Sequence, residues 1–270
     1  ADLFGFYGLG FFVALVNFLL AAAIFKRRDG CPKKGGPYLV AALFVVLAGY
    51  GYGYFQFDRW DKASAGYAQA TVVAVQPSTP QDFKWDEAYR RQLLTKAAAL
   101  ARAAAAQKPW LVIWPETAMP FIFDHDYVES EWLRTLSRDT GGFSLVGLAE
   151  FSGFWPERKL HNRMILFNDG EPAAWYDKTH LVPFGEYVPF EDWALVTWLF
   201  DQGLLGAAGR FSAGNKSPII EVPRNPDDPQ TDKVRLGVLF CFESIFPYLG
   251  RERVLEGAEL LVVPTNDGWF

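Results

Sequence analysis

Two long apolar runs open the chain, and after them the pattern changes character. Leu3 to Phe25 is apolar throughout except for Asn17, and Tyr38 to Phe57 is a second run of the same kind. Each is long enough to cross a hydrocarbon core of roughly 30 Å as a helix. Tyr50, Tyr52, Tyr54 and Phe55 gather near one end of the second run, where interfacial aromatics stand. A cleaved signal peptide fits poorly, because the first run is too long, lacks a basic start and is followed by a second span. Residues 1–57 are therefore read as two transmembrane helices joined by a basic loop at 26–37, and residues 58–270 as a separate domain.

From Ala70 onward, strand and helix patterns alternate. Thr71 to Val75, Trp110 to Trp114, Phe143 to Leu148, Lys233 to Phe240 and Glu259 to Val263 read as strands. Trp85 to Gln107 is rich in alanine and other strong helix formers and closes before Pro109. Tyr127 to Arg138 reads as a helix stopped by Gly141-Gly142, and a further helix is expected after Phe246. Asp169-Gly170 between Arg163–Asn168 and Ala173–Tyr176 marks a hairpin. Continuous Val/Ile/Leu strands indicate a sheet buried on both faces, and their alternation with helices indicates an α/β layered domain. Asn225 to Asp232 is expected to be a polar surface loop. Leu195 to Gly214 admits two readings, a core-packing loop or short helix and an apolar arm that touches lipid.

Charge fixes the expected orientation. Lys26, Arg27, Arg28, Lys33 and Lys34 lie between the two spans, whereas Asp58-Arg59-Trp60-Asp61-Lys62 is nearly balanced. The positive-inside rule places the basic loop in the cytoplasm and everything after residue 57 on the opposite face. The net charge of −5, with no long basic run after residue 60, argues against nucleic-acid binding. Two cysteines, Cys31 and Cys241, and three scattered histidines provide neither a disulfide framework nor a spaced ligand set, so neither metal nor cofactor is expected. The chain has no initiator methionine and stops directly after Asn266-Asp267-Gly268-Trp269-Phe270, which predicts a piece of a longer membrane protein.

Three polar residues stand where chemistry is done in layered α/β domains. Glu116, in Trp114-Pro115-Glu116, follows a buried strand and so lies at the sheet rim. A lone carboxylate there is more often a helix N-cap or first-turn acid. Lys178 opens Lys178-Thr-His-Leu-Val-Pro-Phe-Gly-Glu186-Tyr-Val-Pro189, whose Pro, Gly and aromatic residues constrain the backbone. Glu186 pairs with it if the loop folds back. Cys241 ends an apolar run before a turn into a helix, an elbow that exposes a nucleophile and aims backbone N–H groups at its reaction centre. An isolated cysteine there is more often a small core residue. Glu243 beside it weakens that reading, since a buried strand rarely carries an unpaired carboxylate.

Glu116, Lys178 and Cys241 at the ends of successive strands resemble the catalytic triad of the nitrilase, or carbon-nitrogen hydrolase, superfamily. Trp114-Pro115-Glu116, the Lys178–Pro189 motif, Asn266–Phe270 and Phe83-Lys84-Trp85-Asp86-Glu87 further resemble the bacterial apolipoprotein N-acyltransferase family. The resemblance implies a nitrilase-like αββα sandwich preceded by two transmembrane α-helices, on the periplasmic side of a multi-pass inner-membrane protein. It implies transfer of a fatty acyl chain from a phospholipid to the N-terminal diacylglyceryl-cysteine amine of an apolipoprotein, by a ping-pong route through a Cys thioester. Glu116 would then be the general base, Cys241 the nucleophile and Lys178 the oxyanion stabiliser, with the Phe242 backbone N–H as second donor. Glu186 would orient Lys178, Glu243 would support the same network, and Trp85 and Trp269 would shape the acyl or headgroup site. The family commonly carries Tyr where this chain has Phe242. The alternative is a membrane-tethered amidase that hydrolyses a small C–N substrate with the same triad.

Overall fold

The computed structural model describes residues 3–28, 32–79, 81–190, 193, 196, 198, 211–215, 219–226 and 228–266. Cys31, Trp269 and most of the Leu195–Gly214 stretch lie outside the described residues. The chain divides into two compact units, Ala1–Gln69 and Ala70–Phe270.

The first unit is a pair of helices, α1 (Gly5–Arg28) and α2 (Pro32–Ser64). They meet where Gly49 leaves room for a ring, since a Cβ there would stand 2.6 Å from the Phe12 ring. Phe12 and Gly49 are about equally far from the connection, as in a helical hairpin. Helix α2 continues past Phe57 to Ser64, and Lys62 pairs one turn back with Asp58 at 2.7 Å. Tyr7–Lys26 and Gly35–Ser64 are candidate membrane spans, long and apolar enough to cross a bilayer.

The second unit is built on two sheets. The larger holds β1 (Val72–Ala74), β2 (Leu111–Ile113), β4 (Phe143–Ser152), β5 (Lys159–Asn168) and β6 (Glu171–Asp177) in that spatial order, with β3 (Ile122–Phe123) also on β4. Strands β1, β2 and β4 run parallel, and β4, β5 and β6 antiparallel. The smaller sheet holds β7 (Ile219–Asn225), β8 (Asp228–Val238) and β9 (Leu260–Val262), in that order. The β7–β8 hairpin corrects the loop expected from Asn225 to Asp232. Its residues are polar because the hairpin tip faces water, so strand and loop look alike there.

Alternation along each strand assigns the layers. Leu111, Leu145, Met164, Leu166 and Tyr176 point to one face of the larger sheet and meet Ile220, Val222, Leu236, Val238 and Phe240 of the smaller one. The Trp110 indole also crosses between the sheets, donating to the Pro223 carbonyl at 2.9 Å. Val112, Val146, Ile165 and Phe167 point to the other face. There they meet Ala97, Ala101 and Ala104 of α4 (Glu87–Ala105) and Leu133 and Leu136 of α5 (Tyr127–Asp139). Asp86 caps α4 by accepting from the Ala88 N–H at 2.9 Å. Helix α6 (Pro247–Leu255) covers the smaller sheet, where Gly237 makes room for Arg253. The layers are helix, sheet, sheet, helix. Because both faces of β2 and of the first half of β4 are buried, those stretches read as largely apolar runs.

Candidate active site

Each candidate residue is delivered by the end of a strand. After β2, Trp114 N–H still donates to Leu145 O at 2.8 Å, and Ala118 N–H rejoins the sheet at Gly147 O at 2.7 Å. Between them Pro115-Glu116-Thr117 bows outward, with Thr117 at φ 45°. The bow passes directly over Gly147, where a Cβ would contact Pro115 O and stand 2.8 Å from Glu116 Cα. Gly147→Ala is therefore expected to displace Glu116 and destabilise the fold by about 1–3 kcal/mol, the usual cost of overpacking. Thermal melting checks the second effect, and an unchanged melting temperature would show that the bow yields freely.

Glu116 then points at Lys178, which follows β6. The Lys178 ammonium donates to Glu116 Oε1 at 2.9 Å and to Glu186 Oε1 at 3.0 Å. The loop does fold back, because Gly185 and Glu186 N–H both donate to Val182 O and Glu186 Oε2 accepts from Val182 N–H at 2.9 Å. All three side chains are buried. Burial alone pulls the Lys178 pKa down, but the two carboxylates outweigh it and hold it above the ordinary lysine value.

Asn162 of β5 completes this cluster and was not singled out in the sequence. Its side-chain amide donates to Glu116 Oε1 at 2.7 Å and to Glu186 Oε1 at 2.9 Å, and its backbone carbonyl accepts from the Lys178 backbone N–H at 2.9 Å. The available signal was a polar His161-Asn162-Arg163 step entering an otherwise apolar strand.

Cys241 begins a short 3₁₀ helix (Cys241–Ile245) just past β8. Its φ is 37°, a left-handed conformation costly for a side chain with a Cβ. Its N–H donates to Pro264 O at 2.9 Å, which ties the elbow to the chain leaving β9. The next N–H, of Phe242, has no backbone acceptor among the described residues.

Glu243 is wholly buried, yet its carboxylate is well supplied with donors. Oε1 accepts from Thr179 N–H and Oγ1, both at 2.8 Å, from Tyr176 OH at 2.8 Å and from His180 N–H at 3.0 Å. Oε2 accepts from Phe240 N–H at 2.8 Å. One side chain thus ties the Lys178 loop to the Cys241 elbow. Burial first, then the Glu243 charge, pushes the Tyr176 pKa up, so its hydroxyl stays a donor.

Two cavities flank the elbow. One, of about 400 Å³, is lined by Glu116, Lys84, Gln76, Ser78, Thr79, Pro264 and Asn266 among others. The second, of about 710 Å³, mixes Val188, Phe211, Phe242 and Phe246 with the polar Thr179, His180 and Ser212 on its walls. Pro264, which accepts from Cys241, borders the first, and Phe242 borders the second. Trp85 is half-exposed and does not line the first cavity.

Residues 69–270 match the carbon-nitrogen hydrolase family. The chain belongs to that family. The chain is 34% identical over 276 residues to a Geobacter metallireducens protein named apolipoprotein N-acyltransferase, a match that covers 100% of this chain and 49% of that protein. It is 31% identical over 264 residues to a Brucella suis protein of the same name, covering 95% of this chain and 47% of that one. The chain spans about half the length of the curated relatives it matches. Among solved structures it is similar to a carbon-nitrogen hydrolase from Helicobacter pylori, with a TM-score of 0.46 and 18% identity over 73% of this chain and 58% of that chain.

Proposed function

We propose that this chain carries the catalytic domain of an N-acyltransferase, acting at a bacterial inner membrane from its periplasmic side. It moves a fatty acyl chain from a phospholipid to the N-terminal diacylglyceryl-cysteine amine of an apolipoprotein. The observation that carries this reading is the buried Glu116–Lys178–Glu186 cluster, tied through Glu243 to a strained cysteine elbow, in a chain with two candidate membrane spans.

The chemistry runs in two halves. Glu116 takes the Cys241 thiol proton, and the thiolate adds to the ester carbonyl of the donor. The oxyanion is held by the Lys178 ammonium and the Phe242 N–H. Collapse breaks the ester C–O bond, and the lysophospholipid alkoxide leaves with the proton from Glu116. The acceptor amine then attacks the thioester and gives its proton to Glu116, which passes it to the departing Cys241 sulfur as the amide forms. Glu186 and Asn162 position Lys178 throughout. The cavity bordered by Phe242 and Phe246, with Leu181 and Val188, is proposed to take the acyl chain. Trp85 and Trp269 are proposed to shape the acyl or headgroup site.

The same residues would serve an amidase that hydrolyses a small C–N substrate. Mass spectrometry of the full-length protein after incubation with phospholipid separates the two. An acyl adduct on Cys241, absent from Cys241→Ala, is expected. Turnover of small amides without any such adduct would overturn the transferase reading.

A further inference from the structure

Lys84 is buried in an unusual way. It closes the short helix Gln81–Lys84, between Phe83 and Trp85. Both aromatic neighbours are more than a third exposed, whereas the lysine is only 5% exposed. An isolated ammonium is costly to desolvate, so a buried lysine is ordinarily paired. This one makes no hydrogen bond or ion pair among the described residues, and its only charged influence is Glu116 at a distance. Burial accordingly lowers its pKa to about 8, against a smaller upward pull from Glu116. The residue lines the cavity that also holds Glu116, where polar Gln76, Ser78 and Thr79 stand opposite apolar Ile113, Trp114 and Val263.

Lys178 meets both Glu116 and Glu186 at contact distance, and although that cluster keeps one excess carboxylate, Lys84 forms no ion pair with it. An ammonium that lines an open cavity with no hydrogen-bonded partner is a site for an anion. We propose that Lys84 is the anion-binding residue of the donor site, receiving the phosphodiester of the phospholipid while its ester carbonyl is presented to Cys241. The inference rests on the acyl transfer proposed above and assigns the two cavities. The one lined by Lys84 takes the glycerophosphate and the one bordered by Phe242 takes the acyl chain. It also gives the leaving lysophospholipid a counter-charge.

The test compares two acyl donors on the full-length protein in detergent micelles. One is phosphatidylglycerol, and the other is p-nitrophenyl palmitate, an acyl ester with no phosphate. The rate of acyl-adduct formation on Cys241 is followed by mass spectrometry. Lys84→Met is expected to lower the phospholipid rate relative to the p-nitrophenyl rate by about 10- to 100-fold, the range for losing a charged hydrogen-bond donor. The loss should appear mainly in KM, and Lys84→Arg should keep most of the preference. In wild type the same ratio should fall as pH rises through about 8 and the ammonium deprotonates, and it should stay flat in Lys84→Met. Lys84→Met should also melt above wild type, because it removes a buried unpaired charge, which guards against misfolding as the cause of any loss.

Equal losses on both donors would mean that Lys84 acts through Glu116, and no loss would make it a bystander. Either overturns this inference and leaves the acyl transfer standing. A wild-type protein acylated by p-nitrophenyl palmitate but never by phospholipid would overturn both.

Discussion

Lys178→Ala is expected to lower thioester formation on Cys241 by about 10² to 10³, as loss of one oxyanion donor does. The same substitution should destabilise the fold. Lys178 is 1% exposed and sits between two carboxylates. Removing it leaves Glu116 and Glu186 facing each other around Asn162, and breaking a buried ion pair in this way costs about 3–5 kcal/mol. A poorly folded variant would mimic a catalytic defect, so a second variant is needed. Lys178→Met with Glu186→Gln restores the original charge balance of one excess carboxylate. Its melting temperature should recover most of the loss, while acylation stays low. Near-normal acylation of either variant would remove Lys178 from the mechanism.

The sign of the pH dependence separates the two lysines. The folded-state pKa of Lys178 is raised, so its pairing contributes stability in full below the ordinary lysine value and loses it only as pH rises through the higher folded value. Lys84 has a lowered pKa, so the unfolded chain binds its proton more tightly and stability rises with pH between about 8 and the ordinary value. A donor-dependent change near pH 8 therefore belongs to Lys84 and not to Lys178.

Much of this architecture was legible because burial on both faces leaves a plain trace. Val112 and Val146 pack against helices while Leu111 and Leu145 pack against the second sheet, so β2 and residues 145–149 of β4 show no polar interruption. Glu116, Lys178 and Cys241 were visible as polar residues at the ends of such runs. Strand β7 was not, because it carries Pro223 and alternates buried Ile220 and Val222 with exposed Glu221 and Arg224. A short edge strand of that kind resembles a loop. Asn162 was hidden for a different reason. Its value comes from three groups, Glu116, Lys178 and Glu186, that are remote from it in sequence. Lys84 inverts the usual rule, with the lysine inside and Phe83 and Trp85 outside, and only the folded cavity explains that.

Glu243 is the other side chain whose loss should be felt throughout the site. Glutamine in its place has one oxygen and one NH₂ group. If the NH₂ takes the Oε1 position it faces the donors of Thr179, His180 and Tyr176, and if it takes the Oε2 position it faces the Phe240 N–H. The second arrangement strands fewer donors, so it should prevail, leaving the Phe240 N–H unsatisfied at the root of the elbow. A stranded buried donor costs about 1–3 kcal/mol, and more where a charge is also lost. The Cys241 backbone is held at φ 37° partly by this contact, so the elbow should relax toward an ordinary conformation. Glu243→Gln is therefore expected to melt below wild type and to acylate Cys241 far more slowly. Lys178 should keep its own partners, because its contacts to Glu116 and Glu186 do not pass through Glu243. Alkylation of Cys241 by iodoacetamide distinguishes this from general unfolding. Its rate should change in Glu243→Gln at temperatures where the far-ultraviolet circular dichroism is still native. A variant that melts, alkylates and acylates like wild type would show that the carboxylate's five donors do not hold the elbow.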